Sequence, residues 1–352
     1  MRSPILSIRP VVYEVRAPVL VSPNDPESRF ISCKIPCASQ FLRYNFEMKL
    51  NGIFPPLTTP FDVDGALDLE NFGKNIARYN QTGVAGYVVN GSTGEAPLLR
   101  WNEVFKLCQA ARQAAGPGKL VIAGTAAEST AETIEHTNRA AALGCDVAMV
   151  RTPHYYKTSM SEEALAEYYF RVAEAAGIPI MVYSIPIFTG ITVEASLLKR
   201  LAIHPNIVGI KDSSRSVARV TEFRNAVPES FQILVGNAST FYEALQLGAC
   251  GGVLGLADIF PEECVEILEA HAQGDAARAA ALQQSMVPIS DGILNPYSIA
   301  GLKYAMDLLG YYGGVPRSPI LPVSDEAKRA IESALAPFGV PGVQAASPHH
   351  AN

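Results

Sequence analysis

Lys211 closes the apolar run Ile207-Val208-Gly209-Ile210-Lys211-Asp212-Ser213-Ser214, whose composition is that of a buried strand. Burial disfavours the charged form of an amine, which moves the group towards neutrality and makes it a nucleophile. A neutral lysine amine adds to carbonyls and forms a Schiff base. The chemistry expected is that of a carbonyl-handling lyase that needs no metal. Taken alone, the same lysine also fits a side chain snorkelling to a barrel rim.

Other residues gain meaning beside it. Gly91-Ser92-Thr93-Gly94 is a strand-to-helix turn that brings backbone N–H groups together, and its two hydroxyls add donors. Such a turn holds a small anion; with no basic side chain in the loop, a carboxylate suits it better than a phosphate. Its plainer reading is a tight turn whose Ser or Thr caps the next helix. Tyr183 ends an apolar strand, either as a core aromatic or as a proton relay beside an imine. Tyr155 and Tyr156 follow Pro153 in a loop and suit surface packing or an oligomer contact. The six histidines show no metal-ligand spacing on a helix face.

The elements that must position these groups follow from periodicity. Candidate strands are Ile53–Leu57, Gly86–Val89, Leu120–Ala123, Val147–Val150, Ile180–Tyr183, Ile207–Ile210, Ile233–Val235 and Gly252–Leu254. Each is followed by a helix-like stretch; Leu69, Phe72, Ile76 and Tyr79 make one apolar stripe, and Leu165, Tyr169, Val172 and Ala176 another. Eight alternations over about 220 residues predict an α/β fold, a (β/α)8 TIM barrel, spanning 51–273. The rival, a doubly wound open sheet, lacks a GxGxxG turn after its first strand. Helical stretches near 275–289, 297–309 and 325–336 predict a C-terminal helical extension over 274–340, with a flexible tail at 341–352. In such barrels the chemistry sits at the C-terminal ends of the strands. Those ends carry Thr58-Thr59, the Ser92-Thr93 turn, the Tyr155 loop, Tyr183-Ser184, Lys211-Asp212-Ser213 and Gly236-Asn237.

Composition narrows the class. The chain has 352 residues, 48% hydrophobic, with a formal net charge of -6. That suffices for a large core and argues against a nucleic-acid partner, which calls for a basic face. The longest apolar runs fall short of the roughly 20 residues of a membrane span, so a soluble protein without a membrane partner is expected. The six cysteines form no pair of CxxC motifs and read as reduced thiols. Residues 1–50 hold six prolines and a net +3. They read as a disordered leader or extension, or as a transit peptide, which leaves cytoplasm and mitochondrial matrix both open.

Several motifs occur together and in order: Gly91-Ser92-Thr93-Gly94-Glu95, Thr152-Pro153-His154-Tyr155-Tyr156, Tyr183-Ser184-Ile185-Pro186 with Thr189-Gly190, and Gly209-Ile210-Lys211-Asp212-Ser213. In these, from about Gly52 to Ala336, the chain resembles the dihydrodipicolinate synthase/N-acetylneuraminate lyase family of pyruvate-dependent class I aldolases. The resemblance implies a barrel with a C-terminal helical extension, a homotetramer or homodimer, a small 2-keto acid substrate and no cofactor. It implies Lys211 as the Schiff-base lysine and Tyr183 as the proton shuttle. It further implies Ser92 as the hydroxyl linking Tyr183 to Tyr155, which reaches in from a neighbouring subunit. Thr93 would hold the pyruvate carboxylate, with Ser213, Leu254, Gly236 and Asn237 as further substrate-binding residues. Phe188 stands where the dihydrodipicolinate branch carries an arginine for the aldehyde's carboxylate, and an apolar ring cannot replace that bidentate contact. The Tyr155, Tyr183 and Met306–Gly314 stretches look most like the 4-hydroxy-2-oxoglutarate aldolase branch, with departures at Thr93 and Asn237. That implies cleavage to pyruvate and glyoxylate; a 2-keto-3-deoxy sugar-acid aldolase and 4-hydroxy-tetrahydrodipicolinate synthase are the alternatives.

Overall fold

The computed structural model describes residues 49–339. The expected leader over 1–50, apart from its last two residues, and the expected tail over 341–352 lie outside the described residues. The strands are β1 (Gly52–Ile53), β2 (Gly86–Val89), β3 (Leu120–Gly124), β4 (Val147–Arg151), β5 (Ile180–Ser184), β6 (Ile207–Asp212), β7 (Gln232–Val235) and β8 (Gly251–Gly252). They pair in parallel in the order β1-β8-β7-β6-β5-β4-β3-β2. Hydrogen bonds from Ala85 N to Ile53 O (2.9 Å) and from Val88 N to Pro55 O (3.0 Å) bring β2 back against β1. The fold is a TIM barrel.

The helices around it are α1 (Leu69–Tyr79), α2 (Trp101–Ala114), α3 (Thr130–Ala142), α4 (Glu162–Ala175), the single turn α5 (Pro186–Thr189), α6 (Ala195–Leu201), α7 (Val217–Ala226), α8 (Phe241–Gln246) and α9 (Pro261–Ala272). Side-chain caps start several of them. Asp68, Ser129 and Ser161 accept hydrogen bonds from the N–H groups of Asn71, Glu132 and Ala164, satisfying donors that a helix start leaves over. Both predicted stripes face inward: Phe72, Ile76 and Tyr79 are buried, as are Leu165, Tyr169 and Val172. Among the described residues no helix is long and apolar enough to cross a membrane.

The first predicted strand is shortened from Ile53–Leu57 to Gly52–Ile53, because Pro55 and Pro56 have no N–H to donate to a ladder. The barrel wall continues past Ile53 through backbone carbonyls, as the bond accepted by Pro55 shows. Elsewhere alternation along the strands sorts the side chains. Ala148 and Val150, Ile180 and Val182, and Ile210 join the apolar layer under the helices, whereas Met149, Met181 and Leu234 do not. Tyr183 shares its parity with Met181, and Lys211 pairs with Tyr183 across β5 and β6. One strand period thus aims both side chains into the barrel.

After α9 come α10 (Ala276–Ile289), a π-helical turn over Ser290–Leu294, α11 (Asn295–Leu308) and α12 (Asp325–Leu335). Pro288 inside α10 and Pro296 at the start of α11 remove two helical donors, and Ser298 adopts φ 48°, ψ -135°. The irregular stretch borders the cavity described next, and π-turns of this kind are frequent at functional sites.

Candidate active site

A cavity of about 260 Å³ opens among the strand ends, lined by Ser92, Thr93, Tyr183, Lys211, Ser213, Gly236 and Asn237. Seven of the nine predicted site residues are thereby brought together. The amine of Lys211 lies 4.2 Å from the centre of the Tyr183 ring, and the residue is 4% exposed. It makes no hydrogen bond or ion pair with any described residue. The Tyr183 hydroxyl stands 3.4 Å from Ser92 Oγ.

The β2–α2 turn leaves N–H groups open towards the cavity. N–H groups of Gly94, Glu95 and Ala96 close back on the carbonyls of Gly91 and Ser92. Those of Ser92 and Thr93, both lining the cavity, have no partner among the described residues. Adjacent unpaired N–H groups form a concavity for a carboxylate. The turn is pinned from below: Thr59 Oγ1 donates to Gly94 O (2.7 Å), and a Cβ on Gly94 would lie 2.9 Å from Leu57 O. Gly236 is equally constrained, since a Cβ there would meet Ser213 Oγ at 2.1 Å and Lys211 Cε at 3.2 Å. A side chain at this position would push on both the Ser213 hydroxyl and the Lys211 stem.

Two predicted residues lie elsewhere. Leu254 does not line the cavity; it is buried in the layer beneath the helices, and its neighbours Val253 and Gly255 take the lining positions. Alternation after the short β8 turns Val253 inward and Leu254 outward. Tyr155 is 76% exposed and lines no part of this protomer's cavity. Its loop is held from behind, where Glu128 Oε2 accepts the N–H groups of His154 (2.8 Å) and Tyr155 (2.9 Å) and Oε1 accepts from Arg151 (3.0 Å). Burial raises the Glu128 carboxyl, but these donors outweigh it and hold the group below the usual range. The exposed Tyr155, Tyr156, Ile187 and Phe188 leave apolar surface beside the site.

Several residues escaped the sequence reading. Arg215, Asn295 and Ser298 line the same cavity. Glu95 and Lys303 form an ion pair at 2.6 Å with neither side chain exposed, tying the anion turn to α11. Asp258, just past β8, is wholly buried with neither carboxylate oxygen hydrogen-bonded among the described residues. Burial pushes its carboxyl well above the usual range, while the Lys211 charge pulls the other way. A lysine between apolar neighbours in a helix, as in Gly301-Leu302-Lys303-Tyr304-Ala305-Met306, was the available signal for Lys303.

A parallel barrel with a buried amine and a phenol on adjacent strand ends, beside an open anion turn, is a barrel enzyme site for a carbonyl compound that carries an acid group. The chain matches the model of the Dihydrodipicolinate synthetase family over residues 49–337, and it belongs to that family. It is 36% identical over 282 residues to a 4-hydroxy-tetrahydrodipicolinate synthase of Synechococcus sp. (strain CC9605), covering 80% of this chain and 92% of that one. It is 35% identical over 291 residues to an uncharacterised DapA-like lyase of Halobacterium salinarum, covering 83% and 95%. Among solved structures, YagE, a prophage protein of Escherichia coli K12 in complex with pyruvate, superposes with a TM-score of 0.78 at 30% identity, covering 83% of this chain and 99% of that one. The protein is accordingly a carbon–carbon lyase working through a lysine Schiff base with pyruvate.

Proposed function

We propose that Lys211 is the lysine that carries the Schiff base and that the chain cleaves 4-hydroxy-2-oxoglutarate to pyruvate and glyoxylate. The observation that carries the assignment is the Lys211 amine, buried, unpaired among the described residues and beside the Tyr183 ring. The unprotonated amine adds to the 2-keto carbon, and Tyr183 relays protons through Ser92 as the carbinolamine loses water. The resulting iminium is the electron sink. Tyr183 takes the proton of the C4 hydroxyl, the C3–C4 bond breaks, and its electron pair moves into the iminium to give an enamine and glyoxylate. Protonation at C3 and hydrolysis release pyruvate and return the amine. The Ser92 and Thr93 N–H groups hold the pyruvyl carboxylate, and Ser213 and Asn237 flank the rest of the substrate. In an assembly of two or four copies, Tyr155 extends the relay from a neighbouring subunit; its exposure and the apolar surface around it support that reading.

The aldehyde partner separates this reading from a second one. The names of relatives at 32–36% identity support 4-hydroxy-tetrahydrodipicolinate synthesis, in which pyruvate condenses with aspartate semialdehyde. The likeness of the Tyr155, Tyr183 and Met306–Gly314 stretches to the 4-hydroxy-2-oxoglutarate aldolase branch supports glyoxylate instead, and Phe188 lines the cavity in place of the arginine expected of the dihydrodipicolinate branch. Initial rates with 4-hydroxy-2-oxoglutarate, and with pyruvate plus either aldehyde, decide between them. Glyoxylate release with kcat/KM at least tenfold above that for aspartate semialdehyde condensation is expected; the reverse ranking would replace the first reading by the second.

A further inference from the structure

The cavity has one acid-binding end at Ser92 and Thr93, and its charge indicates another. Apart from Lys211, the one ionisable side chain of formal charge that lines it among the described residues is Arg215, in the β6–α7 loop; no Asp or Glu does so. Arg215 makes no hydrogen bond or ion pair with any described residue. Arg219, one helical turn further on, is taken up by Glu194 (3.4 Å), Glu222 (3.8 Å) and the carbonyl of Val193. Arg317 is likewise taken up by Glu103. Arg215 is an exposed residue on the lining of the cavity; an unpaired guanidinium beside a pocket whose lining holds no carboxylate is available to a ligand, and its planar donors match a carboxylate.

The backbone agrees. Arg215 holds φ 65°, and Ser298, which lines the same cavity, holds φ 48°. Non-glycine residues in this region are strained, and such strain gathers at ligand sites.

We propose that Arg215 determines specificity by holding the carboxylate of the aldehyde portion, while Ser92 and Thr93 hold that of pyruvate. The substrate class is then a 2-keto acid with a second acid group at its far end, in place of a neutral sugar acid tail. The inference rests on the Schiff-base reading of the cavity.

The test uses the full-length chain and two variants, Arg215→Asn, which tolerates a left-handed backbone, and Arg215→Lys. Rates of condensation with pyruvate are compared for carboxylated aldehydes (glyoxylate, aspartate semialdehyde) and uncharged ones (glycolaldehyde, glyceraldehyde). Borohydride trapping at varied pyruvate concentration reports the imine separately. Wild type should favour a carboxylated aldehyde. Arg215→Asn should raise its KM roughly tenfold to a hundredfold, the worth of a charge-assisted contact, and Arg215→Lys should recover part. Half-saturation for pyruvate trapping should move by less than about twofold. A wild type that favours uncharged aldehydes, an unchanged preference in Arg215→Asn, or an equal shift in pyruvate trapping would overturn the assignment while leaving the imine in place. Absence of any wild-type adduct would overturn the Schiff-base reading and this inference with it.

Discussion

Lys303 and Lys211 are both withdrawn from solvent, at 0% and 4% exposure, yet their surroundings are opposite. Lys303 meets Glu95 at 2.6 Å, donates to the carbonyls of Thr59 (2.8 Å) and Val315 (2.9 Å), and lies 4.6 Å from the centre of the Phe61 ring. Its ammonium is met by one carboxylate and two carbonyls. Burial pushes its amine below the ordinary lysine value, against the pull of Glu95. Lys211 makes no hydrogen bond or ion pair with any described residue: it faces the ring of Tyr183 and acts on the buried Asp258 carboxyl only through its charge. A buried ammonium survives when every donor is met; a buried amine left without partners is free to attack. Burial alone therefore does not mark a catalytic lysine, and the partners that a buried lysine has or lacks are the difference on which the proposal for Lys211 rests.

The contrast can be broken by substitution. Lys211→Ala should abolish the pyruvate adduct while leaving the urea midpoint at or above that of wild type, because an uncompensated buried group is removed. Tyr183→Phe should keep the fold and still form adduct slowly, with turnover lowered by roughly 10²–10⁴-fold in steady-state assays. Lys303→Met should do the reverse of Lys211→Ala. It leaves Glu95 buried without its counter-ion, which costs about 3–5 kcal/mol of unfolding free energy, while chain that remains folded still traps pyruvate at Lys211. The double variant Glu95→Gln/Lys303→Met should recover much of that loss in the same urea titration.

The smallest effect concerns pH. Arg317 hydrogen-bonds Glu103 at 2.8 Å through both carboxylate oxygens; with its charge this holds the carboxyl below 4.5, although burial works against it. A carboxylate with a depressed folded pKa contributes stability above its unfolded value and loses it as pH falls through the folded one. Wild type should lose roughly 1 kcal/mol or less by this route below about pH 4.5. Urea midpoints of Glu103→Gln should fall less steeply across that window; parallel curves would mean that the pair contributes nothing.

These two lysines also show what a sequence can reveal. Lys211 was legible because it ends a strand of consecutive apolar residues, and one charge in such a run stands out. Tyr183, Ser92, Thr93, Ser213 and Gly236 were legible because barrel geometry gathers strand ends at one face. Lys303 was not, because its meaning depends on Glu95, which the chain brings to it only through the closed barrel. Arg215 stayed hidden for the opposite reason: a charge in a loop reads as solvated surface, and although Arg215 is exposed, its place on the cavity lining appears only in three dimensions. Leu254 was carried over from the resemblance alone, and the short β8 puts its neighbours Val253 and Gly255 on the cavity instead, because alternation turns Leu254 to the other face. The β1 boundary failed because the apolar count outweighed two prolines. The irregular Ser290–Ser298 stretch has no glycine at Ser298 to announce its left-handed backbone.

The most direct test of the central claim is borohydride reduction of the full-length chain with pyruvate, read by intact mass and peptide mapping. A single adduct on the peptide that carries Lys211, with Lys303 unmodified, is the predicted result. An adduct at another lysine, or none on folded protein, would contradict the account and leave Lys211 a structural lysine like Lys303.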